Sequence, residues 1–352
     1  MRWIDPCLQR SRTASGDLQV RLGVPVLDLY LEFVATRSRP NTVLAVAYDL
    51  RVFFTVVGKP PARVRAADVL AFVTAQRSGG AAGRPLRLVG EGGVSARTVR
   101  RRLSSVSGLF AFLLARGDVD ANPVPRGLPT RRERLRPRQG VPLVRTPRTL
   151  PRILAPGQVD ALLGSLRTWR DRAMVEAMVL GGLRRCEVLG LRLADLDVAQ
   201  RRVFIAEGKG GHQRLIPISG RFFTSVASYL DAERPAEADT DRLFVVLKGP
   251  RRGRPLTAAG LDQILDSARQ RAGLAAATCH QLRHTCLTRL REAGMALEAV
   301  QAQAGHASIE STRIYLHLAD DWLASQYRRA AEAIDAQMLP GRLQLSVVDG
   351  VR

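Results

Sequence analysis

With 352 residues, 46% of them hydrophobic, the chain is long enough for two domains, each with its own core. Lysine and arginine exceed aspartate and glutamate by 54 − 32 = 22, a surplus that favours a polyanionic partner. No apolar run approaches the roughly 20 residues of a bilayer span, the opening MRWIDPCLQRSRTASGD has no signal-like apolar region, and Cys7, Cys186, Cys279 and Cys286 lack disulfide or zinc-knuckle spacing. These features argue against a membrane protein, an exported one and a disulfide scaffold, and a reducing cytoplasm, at the nucleoid, is expected. The positive charge is spread along the chain, unlike a membrane-surface helix, so nucleic acid is the expected polyanion.

In chain order, residues 1–17 read as a mobile polar start. An amphipathic helix is predicted over 18–37, with Val20, Leu27, Leu31 and Phe33/Val34 at helical spacing. A second begins after Pro40 with Asn41 or Thr42 as cap, and a third covers 65–77. The glycine-rich stretch that follows lacks a GK[ST] ending and a preceding strand, so it is not a phosphate loop. A fourth helix over 95–116 carries Arg97, Arg100, Arg101 and Arg102 in its first turns and Leu109, Phe110, Phe112 and Leu113 later. Those arginines either lie on DNA or form a solvated helix end. The result is a helical domain over 18–122.

Residues 123–150 hold six prolines and eight arginines against one acid, Glu133. Proline at that density gives an extended connector. Its charge, including Arg131, Arg132, Arg134 and Arg136, is expected to run along phosphates.

A second domain is predicted over 151–337. Helices at 157–166 and 168–181 lead into GLRRCEVLGLRLADLD, read as a short helix and turn. RRVFIAEGKGGHQRLIPI then reads as a β-hairpin around GKGG. Further helices are predicted at 219–232, 257–272, 280–293, 296–304, 309–316 and 318–337, then a tail over 338–352 with a short edge strand. The fold class is mainly α with a small β-sheet: a two-domain DNA clamp of helical bundle and α+β domain.

If the chemistry is attack on a phosphodiester, negative charge must be neutralised, the leaving oxygen needs a proton and the nucleophile must lose one. There is no carboxylate cluster and no HExxH, so no metal and no cofactor is expected. His280 and Arg283 are one helical turn apart on the same side of a predicted helix, beside the stripe Leu282, Cys286, Leu290 and Ala293. His306 follows a probable helix stop at Gly305, and Tyr315 lies roughly 10 Å further along the next helix. Each residue also has a plainer reading. Arg184 could be one of 51 ordinary arginines (54 − 3), but it stands in an apolar stretch predicted as helix, where a free charge is costly. Only three basic residues are lysine, Lys59, Lys209 and Lys248, and lysine gives up a proton more readily than arginine. His280 could be a helix cap, Tyr315 core packing like Tyr229 and Tyr327, and Cys279, His280, His284 and Cys286 a poorly arranged zinc set.

GLRRCEVLGL, EGKGG, HQLRH, GH and a single tyrosine, in that order, resemble the tyrosine recombinase (phage integrase) family. The resemblance is close over about 150–335 and looser over the N-terminal helices, which resemble that family's core-DNA-binding domain. It implies that Arg184 and Arg283 clamp the scissile phosphate, Lys209 protonates the 5′-hydroxyl, His280 acts as general acid/base, His306 hydrogen-bonds the phosphate and Tyr315 is the nucleophile. A 3′-phosphotyrosyl intermediate would store the bond energy. Glu187 matches an acidic family position and would orient the site. Ala304 and Cys186 depart from residues common there. The resemblance also implies double-stranded recombination sites as substrate, a homotetramer on DNA, a tail that docks on a neighbouring protomer, and accessory DNA-bending or directionality proteins. The expected function is integration, excision or transposition of a mobile element. The rivals are a topoisomerase-like relaxing enzyme and a non-catalytic DNA-binding protein on the same fold.

Overall fold

The computed structural model describes residues 3–13, 18–78, 93–125, 143–146, 152–206 and 213–305. The chain divides into two compact units, Met1–Arg148 and Thr149–Arg352.

In the first unit a short antiparallel hairpin, β1 (Gln9–Arg12) and β2 (Leu18–Arg21), precedes the helices α1 (Pro25–Ala35), α2 (Pro40–Val57), α3 (Ala66–Ser78) and α4 (Ala96–Arg116). The helix expected over 18–37 therefore begins only at Pro25, and the expected mobile start contributes a strand. The reason is local. Val24 precedes a proline and sits in the extended region, φ −120° and ψ 112°, so helix cannot run through it, while Pro25 is well placed at the first helical position. Helix α2 starts at Pro40 with no side-chain cap, so neither Asn41 nor Thr42 plays the expected role. Helix α4 does carry a cap: Ser95 accepts a hydrogen bond from the Thr98 amide. Its buried residues Val99, Leu103, Val106, Leu109, Phe110 and Leu113 recur every three to four positions and face the core. That core includes Leu27, Leu31, Leu50, Phe53 and Phe72, with Phe53 edge-on to both Phe54 and Phe72 at 5.1 and 5.0 Å. Helix α2 is apolar and long enough to cross a membrane by composition, yet Leu50, Phe53 and Phe54 are fully buried in this unit. Leu143 and Val144, within the expected connector, pack on the same core.

The second unit is built around α6 (Trp169–Val179), whose Ala173, Met174, Val175, Ala177 and Met178 have no exposed surface. The charged side chains buried along with them are paired, Arg170 with Asp171 and Glu176 with the Ser225 hydroxyl. Around α6 lie α5 (Pro156–Gly164), α7 (Arg185–Gly190), α8 (Gly220–Ala232), α9 (Ala258–Arg271), α10 (Cys279–Glu292) and α11 (Leu297–Ala304). Three short antiparallel strands, β3 (Leu196–Asp197), β4 (Arg202–Ile205) and β5 (Arg214–Pro217), form one sheet in that order. Val203, Ile205 and Ile216 point inward and are buried. Tyr229 is core, as expected, and its hydroxyl donates to the Leu243 carbonyl. The predicted helices at 309–316 and 318–337, Tyr327 and the tail strand lie outside the described residues.

Candidate active site

The site forms where the ends of α6, α10 and α11 meet the start of α7. Helix α6 stops at Val179, short of the predicted boundary, and Gly182 adopts φ +70°, a left-handed conformation that turns the chain toward α7. Arg184 thus sits at the N-cap of α7 in extended conformation, φ −77° and ψ 153°, and not inside a helix as its apolar neighbours suggested. Three residues on, Glu187 reaches back and its carboxylate accepts from the Arg184 amide at 2.9 Å. This is the glutamate half of a capping box; arginine has no acceptor to supply the other half.

Glu187 is fully buried, and arginines surround it. Arg184 Nη1 donates to its Oε1 at 2.7 Å, Arg214 Nη1 and Nη2 donate to Oε1 and Oε2 at 3.0 and 2.9 Å, and Arg283 Nη1 lies 4.0 Å from Oε2. Burial alone would raise the Glu187 pKa, but the Arg214 and Arg184 hydrogen bonds and charges outweigh it and hold the carboxyl below its ordinary range. Three guanidiniums against one carboxylate leave a surplus of two positive charges in a half-shielded site.

Arg283 is 3% exposed. It donates through Nη1 to the Gly182 carbonyl and through Nη2 to the Ala304 carbonyl, the latter at 2.5 Å. Arg184 Nη2 donates to the next carbonyl, Gly305, at 3.1 Å. Two guanidiniums from distant segments therefore converge on adjacent carbonyls at the end of α11. Gly305 ends that helix with φ +58°, as the sequence suggested. Thr278 caps α10 by accepting from the Gln281 amide, which fixes the first turn carrying His280 and Arg283.

His280 and Arg283 do share a helix, but at different depths: His280 is exposed while Arg283 is enclosed. The His280 and His284 rings meet edge-on, with their Nε2 atoms 2.7 Å apart. Burial, then the neighbouring His280 and Arg283 charges, push His284 down to about 4, so at neutral pH it is an uncharged partner for His280. The alternative zinc set gains nothing here. Burial raises the Cys279 and Cys286 thiols to about 11 and about 12, and among the described residues no group of three metal-binding side chains forms.

Lys209, His306 and Tyr315 lie outside the described residues, as do Arg131, Arg132, Arg134 and Arg136. Arg97, Arg100 and Arg101 are all exposed along the first turns of α4. Arg101 is ion-paired with buried Asp49 at 2.8 Å, which offsets part of its charge, and Arg100 donates to Thr146. Arg102, grouped with them by sequence, instead turns inward to Gln76.

Two residues of the site escaped sequence reading. Arg214 is one arginine among 51, although its register on β5, facing the same way as buried Ile216, was an available signal. Gln303, buried on α11, donates to the Gly181 and Pro217 carbonyls and ties three segments together. Nothing in its local sequence marks it.

Comparison with known proteins decides the family. A tyrosine recombinase XerC of Roseiflexus sp. (strain RS-1) is 32% identical over 293 residues, covering 79% of this chain and 83% of that protein. The chain belongs to the tyrosine recombinase family. Its members are enzymes that cleave and rejoin DNA. The Phage integrase family description matches residues 152–321 of this recombinase, and that of the phage integrase N-terminal SAM-like domain matches residues 27–117. A tyrosine recombinase of Thermosipho africanus is 27% identical, covering 84% of this chain and 95% of that protein. Among solved structures, the Tn1549 transposon integrase in complex with transposon right end DNA superposes with TM-score 0.65 at 20% identity, covering 87% of this chain and 99% of that one. XerH recombinase bound to a palindromic difH substrate gives TM-score 0.61 at 21% identity, covering 84% and 79%. These likenesses establish the fold: mainly helical with small sheets, a SAM-like N-terminal domain and an integrase-type catalytic domain.

Proposed function

We propose that this recombinase cleaves and rejoins double-stranded DNA at a specific site through a 3′-phosphotyrosyl intermediate on Tyr315, for integration, excision or transposition of a mobile element. The observation that carries this reading is the convergence of Arg184 and Arg283 on the carbonyls of Gly305 and Ala304, directly before His306 in sequence. Planar guanidiniums held this way suit two non-bridging phosphate oxygens. Glu187 keeps them oriented without cancelling their charge.

In the proposed step the Tyr315 oxygen bonds to phosphorus, its phenolic proton passes to His280, and the bond from phosphorus to the 5′ oxygen breaks. Lys209 gives a proton to that leaving oxygen, and His306 donates a hydrogen bond to the phosphate. The phosphotyrosyl ester retains the bond energy, so rejoining is the reverse step on a new 5′-hydroxyl. Arg97, Arg100 and Arg101 on α4 and Arg131, Arg132, Arg134 and Arg136 of the connector contact DNA phosphates. A homotetramer on two sites in the cytoplasm, assisted by DNA-bending or directionality proteins, completes the reading, with residues 1–17, 18–122, 123–150, 151–337 and 338–352 as start, core-binding domain, connector, catalytic domain and tail.

A nicked suicide substrate tests it. The wild type is expected to form an SDS-resistant covalent adduct and Tyr315→Phe none. Arg184→Ala and Arg283→Ala should each slow adduct formation by about 10²-fold or more, the scale for losing one preorganised transition-state donor. An adduct on Tyr315→Phe would show that another residue is the nucleophile.

A further inference from the structure

Arg214 is a largely buried charged group that the proposed mechanism leaves without a role. It opens β5 at the loop end of the strand pair, matched across the strands with Ile205, the last residue of β4. Its side chain is 13% exposed, and both terminal nitrogens are spent on the two Glu187 oxygens, at 3.0 and 2.9 Å. Unlike Arg184 and Arg283, whose Nη2 atoms lie on the carbonyls of Gly305 and Ala304, it turns both terminal nitrogens onto the one carboxylate. Glu187 does not need it for charge balance alone, because Arg184 already pairs with that carboxylate through both side chain and amide. The guanidinium also packs against Gly305. A Cβ there would fall 2.9 Å from Cζ, Nε and Nη1, so any other residue would displace the guanidinium, and the φ of +58° separately favours glycine.

One side chain therefore touches the anchor of the Arg184 clamp and the residue whose carbonyl that clamp holds, and it does so from the strand end where the loop carrying Lys209 rejoins the sheet. Gln303 supports the same junction from α11 through the Pro217 carbonyl at the other end of β5. We infer that Arg214 is a positioning residue that locks the loop end of β5 to Glu187, so that the proton donor on that loop is held in register with the phosphate clamp. The inference rests on the reading of Lys209 as that donor. Its effect is on delivery of the proton to the leaving oxygen, more than on binding or on neutralising the phosphate.

The test compares two suicide substrates, one with the ordinary 5′ oxygen at the scissile bond and one with sulfur in that bridging position. Sulfur leaves as a stable thiolate: the tyrosyl oxygen–phosphorus bond forms, the phosphorus–sulfur bond breaks, and no proton is needed. Arg214→Gln is expected to bind DNA as the wild type does. It should cleave the oxygen substrate about 10²-fold more slowly, the lower range for lost general acid catalysis, and recover close to wild-type rate on the sulfur substrate. Arg214→Lys, which keeps the charge and loses the two-pronged geometry, should show a smaller defect with the same recovery, and it serves if the glutamine variant does not fold. Arg184→Gln should not recover, because its role is on the non-bridging oxygens. Wild-type cleavage of the oxygen substrate, or a defect equally deep on both substrates, would overturn the inference. Lys209→Ala separates the two claims: recovery there without recovery in the Arg214 variants sinks the positioning role alone, and no recovery there sinks the proton-donor assignment beneath it.

Discussion

At the scale of single residues, Glu187 sets the character of the site. A lone buried carboxylate would be driven to protonate, and here several guanidinium hydrogen bonds reverse that tendency. Glu187→Gln keeps the shape but leaves buried arginines without their counter-charge. We expect a loss of about 3–5 kcal/mol in urea unfolding, the range for breaking one side of a buried ion pair. The pH dependence has a fixed sign. Because its folded pKa lies below the unfolded one, the unfolded chain binds the extra proton between them, so stability rises with pH there. The Glu187 contribution is full above about pH 4.3, the unfolded value, and is lost as pH falls through the folded value. Wild type should lose stability more steeply than Glu187→Gln across that acidic window.

At the scale of elements, most of the site hangs on helix ends. Arg184 caps the start of α7, α10 begins one residue before His280, and α11 ends at the carbonyls that accept from Arg283 and Arg184. Ends are suited to this because their unpaired amides and carbonyls can bind side chains that a helix interior cannot. Thr278 is the simplest of these ends to probe. Thr278→Ala removes the acceptor for the Gln281 amide and should cost about 1 kcal/mol in unfolding experiments. The frayed first turn would also loosen His280 and Arg283, so adduct formation should fall while DNA affinity holds. A fall in affinity as large as the fall in rate would argue against that account. Element reading from sequence succeeded where periodicity was sustained, as in α4 with its three-to-four spacing, although the Ser95 cap was read as part of the helix. It failed at Pro25, where the helical spacing of Val20, Leu27, Leu31 and Phe33/Val34 hid a strand followed by a new helix.

At the scale of the whole molecule, two cores are joined by a segment whose arginines outnumber its acids eight to one. If that segment follows phosphates, each arginine lost should lower the salt dependence of binding by about 0.9 in log K against log salt. Replacing Arg134 and Arg136 by glutamine is therefore expected to cut the slope by close to two, equally on specific and random duplexes; a loss confined to one target would contradict backbone contact. The sequence by itself determined the helical class and the order of the helices described between residues 152 and 305, because helix periodicity and short-range spacing are local properties of the chain. It placed Arg283 and His280 on one helix, and marked Gly305 as a stop, for the same reason. What only the tertiary structure decided is which of 51 arginines matter and how they are held. Arg102 and Arg214 turn inward, Arg97 stays exposed, and Arg184 occupies a helix cap beside a carboxylate. Those outcomes depend on partners such as Gly305 and Gln303 that are brought in from far along the chain, and no local pattern encodes which long side chain will find a buried acceptor when the cores close.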